Sequence, residues 1–92
     1  MRIALTERFQ ADVVGLANAE RSAVFETLLA LPKAIGQAHR HAGLGLRKLH
    51  PSGIWEARVG LGCRMVFTLA YDTLTLVRVG THDEIRRYLK SL

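Results

Sequence analysis

The sequence has a single cysteine, Cys63, so no disulfide framework can form within the chain. That suits a reducing, cytoplasmic compartment. The opening MRIALTERF lacks an apolar h-region and a small-residue cleavage site, and no signal peptide is expected there. No apolar run approaches the length of a membrane span, so a membrane partner is not expected either. Repeats and low-complexity segments are missing as well. Acids are in short supply: eight Asp and Glu stand against thirteen Lys and Arg, a formal charge of +5. Ten of the thirteen bases are arginine, whose planar guanidinium suits bidentate recognition of phosphate. The charge argues for anionic partners such as nucleic acid without deciding a fold.

What is present fits one small domain spanning residues 1–92. Apolar residues make up 49% of the chain, enough for a real core but not a large one. RIAL (2–5) reads as a short strand. Thr6 is a candidate N-cap for a helix in which Phe9, Val13, Leu16 and Ala17 recur at helical spacing, with Asn18 breaking the run. Val24, Phe25, Leu28 and Leu29 give a second stripe before Pro32, so a helical hairpin is expected. The segment from Pro32 to Gly53 is interrupted by Gly36, Gly43, Gly45 and Pro51, with a short helix possible from Pro32 to about His41. It is also basic, with Lys33, Arg40, Arg47 and Lys48.

From Ile54 the pattern turns to strand. IWEARV, CRMVFTLAY and TLTLVRV are joined by GLG and by Asp72-Thr73, which predicts an antiparallel meander. Period two places Trp55, Ala57, Val59, Cys63, Met65 and Phe67 on an apolar face that the helices should cover. Glu56, Arg58, Arg64 and Thr68 fall on the other face. With Gly60-Leu61-Gly62 as the loop, Val59 lies opposite Cys63, and Arg58 lies opposite Arg64. Two like charges facing each other across a strand pair repel, which a fold has no use for and an anionic ligand does. Arg58 has Glu56 on its own strand face as a candidate counter-ion. Thr81 followed three residues later by Glu84 is a capping-box pattern opening a last helix, with Ile85, Tyr88, Leu89 and Leu92 at helical spacing. The expected order is β-α-α-β-β-β-α, an α+β domain with a helical hairpin layered on a small antiparallel sheet.

His82 sits in the first turn of that last helix, where an imidazole is a candidate general base or acid. Tyr88, nearly two turns on, fits the apolar stripe while its phenol can reach the edge, to stack on a base or meet a phosphate. His39, His41, His50 and Cys63 invite a metal reading, but their spacing matches no ligand set, so no metal or cofactor is expected. Gly60 and Gly62 join two strands and are turn residues, not a phosphate loop.

The stretch LHPSGIWEARVGLGCRMVFTLAYDTLTLVRVGTHDEI resembles the C-terminal half of the RelE/ParE superfamily of bacterial toxins. Trp55-Glu56-Ala57-Arg58, Arg64-Met65-Val66-Phe67, Tyr71-Asp72 and Gly80-Thr81-His82 stand in the order of that family's features. The resemblance implies a RelE-like α+β toxin of a type II toxin–antitoxin system, neutralised by a cognate antitoxin and meeting operator DNA only through that complex. RelE-like and YoeB-like branches cut mRNA on the ribosome; a ParE-like branch poisons DNA gyrase instead. In the nuclease branches the arginine that opens the second hairpin strand contacts the scissile phosphate, which is Arg64 here. YoeB-like members place a histidine eighteen residues later, where His82 stands, and RelE-like members a tyrosine where Tyr88 falls. The implied catalytic set is Arg64, His82, Arg58, Tyr88 and Glu56, with Arg40, Arg47 and Lys48 contacting RNA backbone. The chain departs from both branches: Glu56 and Ala57 replace first-strand lysines, and the preceding GLGLRK carries no acid. The implied activity is a metal-independent endoribonuclease; a ParE-like gyrase inhibitor or an inactive antitoxin-binding module is the alternative.

Overall fold

In the computed structural model, which describes residues 1–35 and 43–92, the expected hairpin is present in the expected register. Its strands are β3 (Ile54–Val59) and β4 (Cys63–Ala70). Val59 faces Cys63 and Arg58 faces Arg64 across Gly60-Leu61-Gly62. Around it lie β1 (Arg2–Leu5), α1 (Glu7–Val14), α2 (Asn18–Ala34), β2 (Arg47–His50), β5 (Thr73–Thr81) and α3 (His82–Lys90). The fold is α+β, as the patterning predicts. The sheet has five strands in the order β1-β5-β4-β3-β2 and is mixed, because β1 runs parallel to β5. The strand β2, absent from the sequence reading, pairs antiparallel with β3 and places Arg47 opposite Glu56.

The apolar face is the one that alternation predicts. Ala57, Met65 and Phe67 are fully buried, and Val59 and Cys63 nearly so. Phe9 and Val13 of α1 and Val24, Leu28 and Leu31 of α2 fill the space above them. Across the strands, Trp55 and Phe67 stack with ring centroids 6.4 Å apart. The Cys63 thiol is pushed up from its ordinary pKa, by burial first and then by its hydrogen bond to the Glu20 carboxylate at 3.5 Å. Glu20 also accepts the Ala17 N–H at 3.2 Å, so one carboxylate ties the start of α2 to the start of β4.

Three local expectations shift. The first helix ends at Val14, ahead of Gly15, and Asn18 opens α2 where it was expected to end a run. Pro32 lies inside α2 instead of opening a new helix. Buried Leu31 and Ala34 flank it, and the Ile35 N–H reaches the Leu31 carbonyl at 3.0 Å to close the last turn. The β4–β5 turn is Tyr71-Asp72, one residue earlier than expected, with both φ angles positive (51° and 62°), the twist-matched two-residue hairpin geometry.

Helix α3 packs on the opposite face, against β4 and β5. Gly80 lies opposite Arg64, and a Cβ there would meet Glu84 at 3.3 Å, so the helix sits close over the arginine side of the sheet. Val66 of β4 and Ile85 of the helix are both buried. The capping box is formed: the Glu84 N–H donates to Thr81 Oγ1 at 3.2 Å and the Thr81 N–H to Glu84 Oε1 at 3.1 Å. No helix is long and apolar enough to cross a membrane among the described residues.

Where β1 stops, α1 takes over the edge of β5. Thr6 caps α1 through the Phe9 N–H and donates its hydroxyl to the Val77 carbonyl at 3.0 Å. Asp12 accepts the Val79 N–H at 3.1 Å and Arg78 Nε at 2.8 Å. One carboxylate thus does the work of an absent strand while holding a side chain that is only 14% exposed.

Two predictions follow from these contacts. Asp12→Ala leaves a backbone donor and a guanidinium unpaired and is expected to cost about 2–4 kcal/mol in urea unfolding. A loss below about 0.5 kcal/mol, the ordinary surface value, would contradict this role for Asp12. The second concerns pH. The Thr81 N–H, then the Thr81 hydroxyl, hold the Glu84 carboxyl below its usual range. A folded-state value below the unfolded one stabilises the fold at neutral pH. That contribution fades as pH falls through the unfolded value of about 4.3 toward the folded one. Glu84→Gln is therefore expected to be less stable than wild type at neutral pH, with the gap closing in acid. A gap that stays constant with pH would show the carboxylate is not in play.

Candidate functional site

The arginine face of the hairpin forms the floor of a pocket of about 360 Å³, lined by Gly45, Leu46, Arg47, Glu56, Arg58, Arg64 and His82. Its parts come from separate elements. Strands β3 and β4 supply Glu56, Arg58 and Arg64, β2 supplies Arg47, and the start of α3 supplies His82. Because β5 runs into α3 without a loop, the capping box sets where His82 stands at the rim.

Glu56 is the electrostatic centre. Its side chain is 9% exposed, and its Oε1 lies 3.6 Å from Arg64 Nε and 3.9 Å from Arg47 Nη2. It sits diagonally across the strand pair from Arg64, within reach of a long side chain. The expected pairing of Glu56 with Arg58 is not what the structure shows. The carboxylate turns to Arg64 and Arg47 instead, because β2 brings Arg47 directly opposite it. Arg64 also donates Nη1–H to the Cys63 carbonyl at 3.0 Å, so it is fixed from two sides. Arg58 has no ion-pair partner among the described residues and is exposed.

Gly45 is a contributor that the sequence reading passed over as an interruption. Its φ of +60° is left-handed, and a Cβ there would lie 3.0 Å from Arg58 Cβ and 3.3 Å from Arg58 Cζ. The chain entering β2 thus runs flush against the Arg58 side chain and confines it. The only local signal was glycine at alternate positions, Gly43 and Gly45, just before a basic strand.

Of the residues singled out in the sequence, the fold brings Arg58, Arg64, His82, Glu56 and Arg47 together. Tyr88 does not line this pocket. Its half-buried ring lies under Arg78, whose Cζ is 5.3 Å from the ring centroid, on the side of α3 toward Asp12. Lys48 pairs opposite Trp55, so alternation turns it away from Arg47, and it lines a separate recess with His50. His50 is occupied locally: its Nδ1 accepts the Ser52 N–H at 3.1 Å and meets the Ser52 hydroxyl at 2.7 Å. Arg40, His39, His41 and the short helix expected to run to His41 lie outside the described residues beyond Ile35.

The confinement of Arg58 can be tested with two glycines. Gly45 and Gly53 both have positive φ, but nothing lies within 4 Å of a Cβ at Gly53. Gly53→Ala should show only the backbone cost, about 1 kcal/mol, and Gly45→Ala about 1–2 kcal/mol more, from crowding Arg58. Equal losses in urea unfolding would show that Gly45 does not press on Arg58.

A search against protein-family models finds no match, and neither does one against curated protein sequences. Solved structures do match. The RelB–RelE antitoxin–toxin complex from Methanococcus jannaschii aligns with a TM-score of 0.68 at 17% identity, over 92% of this chain and 96% of that one. YafQ from E. coli aligns at 0.66 and 21% identity, over 92% and 98%. The archaeal RelE–RelB complex from Pyrococcus horikoshii aligns at 0.66 and 13%, over 87% and 92%. These alignments span nearly the whole of each chain, at identities where likeness is a matter of backbone: the protein has the fold of the RelE and YafQ toxins.

Proposed function

We propose that this chain is the toxin of a type II toxin–antitoxin pair and an endoribonuclease that cuts mRNA on the ribosome. The observation that carries the reading is the convergence of Arg58, Arg64 and His82 on one pocket over a buried carboxylate. A phosphodiester seated there meets two guanidiniums, Arg64 held by Glu56 and the Cys63 carbonyl and Arg58 confined by the chain at Gly45, so charge growing on its oxygens is stabilised with little reorganisation. The ribose 2′-hydroxyl gives its proton to a base, and its oxygen attacks the adjacent phosphorus. The bond from phosphorus to the 5′-oxygen breaks, and that oxygen takes a proton. The products are a 2′,3′-cyclic phosphate and a 5′-hydroxyl.

In this scheme Arg64 and Arg58 stabilise the transition state and His82 moves a proton. Glu56 aligns Arg64. Tyr88 acts at a distance, its contact with Arg78 helping to seat α3 and hence His82. Arg47 binds flanking backbone. The fold neighbours solved as antitoxin–toxin complexes support a cognate antitoxin as partner. One docking place is the end of α3, where Leu89 is half-buried and Leu92 is 64% exposed.

The test is primer extension on a translated messenger with purified ribosomes, comparing wild type with Arg64→Ala and His82→Ala. Ribosome-dependent cuts are expected, reduced at least about 100-fold by either substitution. Cuts that survive both changes would remove the pocket from the chemistry. Growth arrest without any cuts would replace the nuclease with a gyrase-directed toxin.

A further inference from the structure

The pocket is not the end of the basic surface. Helix α3 buries Ile85 fully and Tyr88 and Leu89 in part, which fixes its inner face. At about 100° per residue, His82, Arg86 and Lys90 stand four apart on a stripe that starts on one flank of that face and winds about 40° per step toward the solvent side. His82 lines the pocket, so the stripe starts at the pocket's rim. Arg86 and Lys90 are exposed, and neither has an ion-pair partner among the described residues. Tyr88 lies on the other flank, against Arg78. Glu84, the acid nearest the sheet, is engaged in the capping box.

We infer that the ridge His82–Arg86–Lys90 is a track for the sugar-phosphate backbone of single-stranded RNA, carrying nucleotides beyond the one seated at Arg58 and Arg64. The inference rests on the reading of the pocket as an RNA phosphate site and extends it to the flanking strand. The ridge advances about 6 Å per step and about 12 Å in all, so the imidazole and then the two cations can meet successive phosphates. It is continuous with the pocket, and its charge complements a polyanion. Contacts to phosphate carry no sequence information, so a backbone track sets register and affinity without sequence preference.

The experiment measures binding, apart from cleavage. An eight-nucleotide oligouridylate fully 2′-O-methylated has no attacking hydroxyl, and its affinity for the full chain is followed by fluorescence anisotropy across a salt series. Wild type is compared with the Arg86→Ala/Lys90→Ala double variant. A charge-matched control, Arg2→Ala/Lys33→Ala, removes two exposed bases on β1 and α2, away from the ridge. The track predicts that the slope of log affinity against log salt falls by about 1.4 in the ridge variant, about 0.7 for each lost phosphate contact. It predicts little change in the control. Shortening the oligonucleotide to two residues should erase the difference between ridge variant and wild type. Equal slopes in ridge variant and control would overturn the inference, as would a wild type that does not bind. An octaglutamate peptide whose binding depends on the ridge where that of the oligonucleotide does not would assign the surface to an acidic protein segment and overturn it too. A ridge-dependent slope in a protein that never cuts mRNA keeps the track and discards the nuclease. Cuts that need Arg64, with no ridge dependence, do the reverse.

Discussion

Two guanidiniums placed opposite each other on neighbouring strands are the constraint around which this molecule is arranged. Like charges directly opposite each other destabilise a strand pair, and a carboxylate beside one of them offsets the repulsion. Glu56 occupies that position, one diagonal step from Arg64, and it is nearly buried there. A buried carboxylate needs cations in turn, and Arg47 provides the second. The edge strand β2 is thus part of the electrostatics of the hairpin as well as of the sheet. Gly45, just before it, lets the chain run flush against Arg58.

The other side of the site depends on a second carboxylate, far from the pocket. Asp12 closes the edge of β5 where β1 has ended, and through Arg78 it reaches the ring of Tyr88 on α3. The chain of contacts Asp12–Arg78–Tyr88 therefore joins α1, β5 and α3. The capping box anchors the near end of α3 and the Arg78–Tyr88 contact its far part. His82 stands at the end that the capping box anchors. Both walls of the pocket are set by polar contacts at the sheet edges, while the apolar core under α1 and α2 sets only the plane of the floor.

What could be read from the sequence follows from how local each signal is. The hairpin register was legible because a three-residue Gly-Leu-Gly loop fixes the pairing and period two then assigns every side chain to a face. The last helix was legible because its cap is spelled out within four residues. The strand β2 was not, since Arg47 and Lys48 are both exposed, a bulge follows, and four residues give no alternation to read. Missing β2 carried a second error with it: without Arg47 opposite Glu56, the carboxylate was assigned to Arg58. The parallel pairing of β1 with β5 joins residues about seventy positions apart, and nothing local encodes it. Tyr88 fits the helical stripe, but its contact with Arg78 depends on an edge that only the folded chain creates.

The same division explains how a chain at 13–21% identity keeps the backbone of RelE and YafQ. Backbone is held by pattern: alternation on the strands, a cap at α3 and small residues where the chain crowds. Many sequences satisfy a pattern. The pocket is held by particular residues, and there this chain has an internal carboxylate among its arginines. That choice has a physical consequence on the proposed reading. Glu56 lies on the pocket floor and a phosphate arrives from the solvent side, so Arg64 can meet the phosphate without giving up Glu56. The anion then adds to an ion pair already formed and does not have to displace it. On that reading Arg58, with no counter-ion of its own among the described residues, brings uncompensated charge to the phosphate, while Arg64 brings a fixed geometry. Affinity and alignment would then rest on different arginines, which gives the two a reason to face each other across the hairpin.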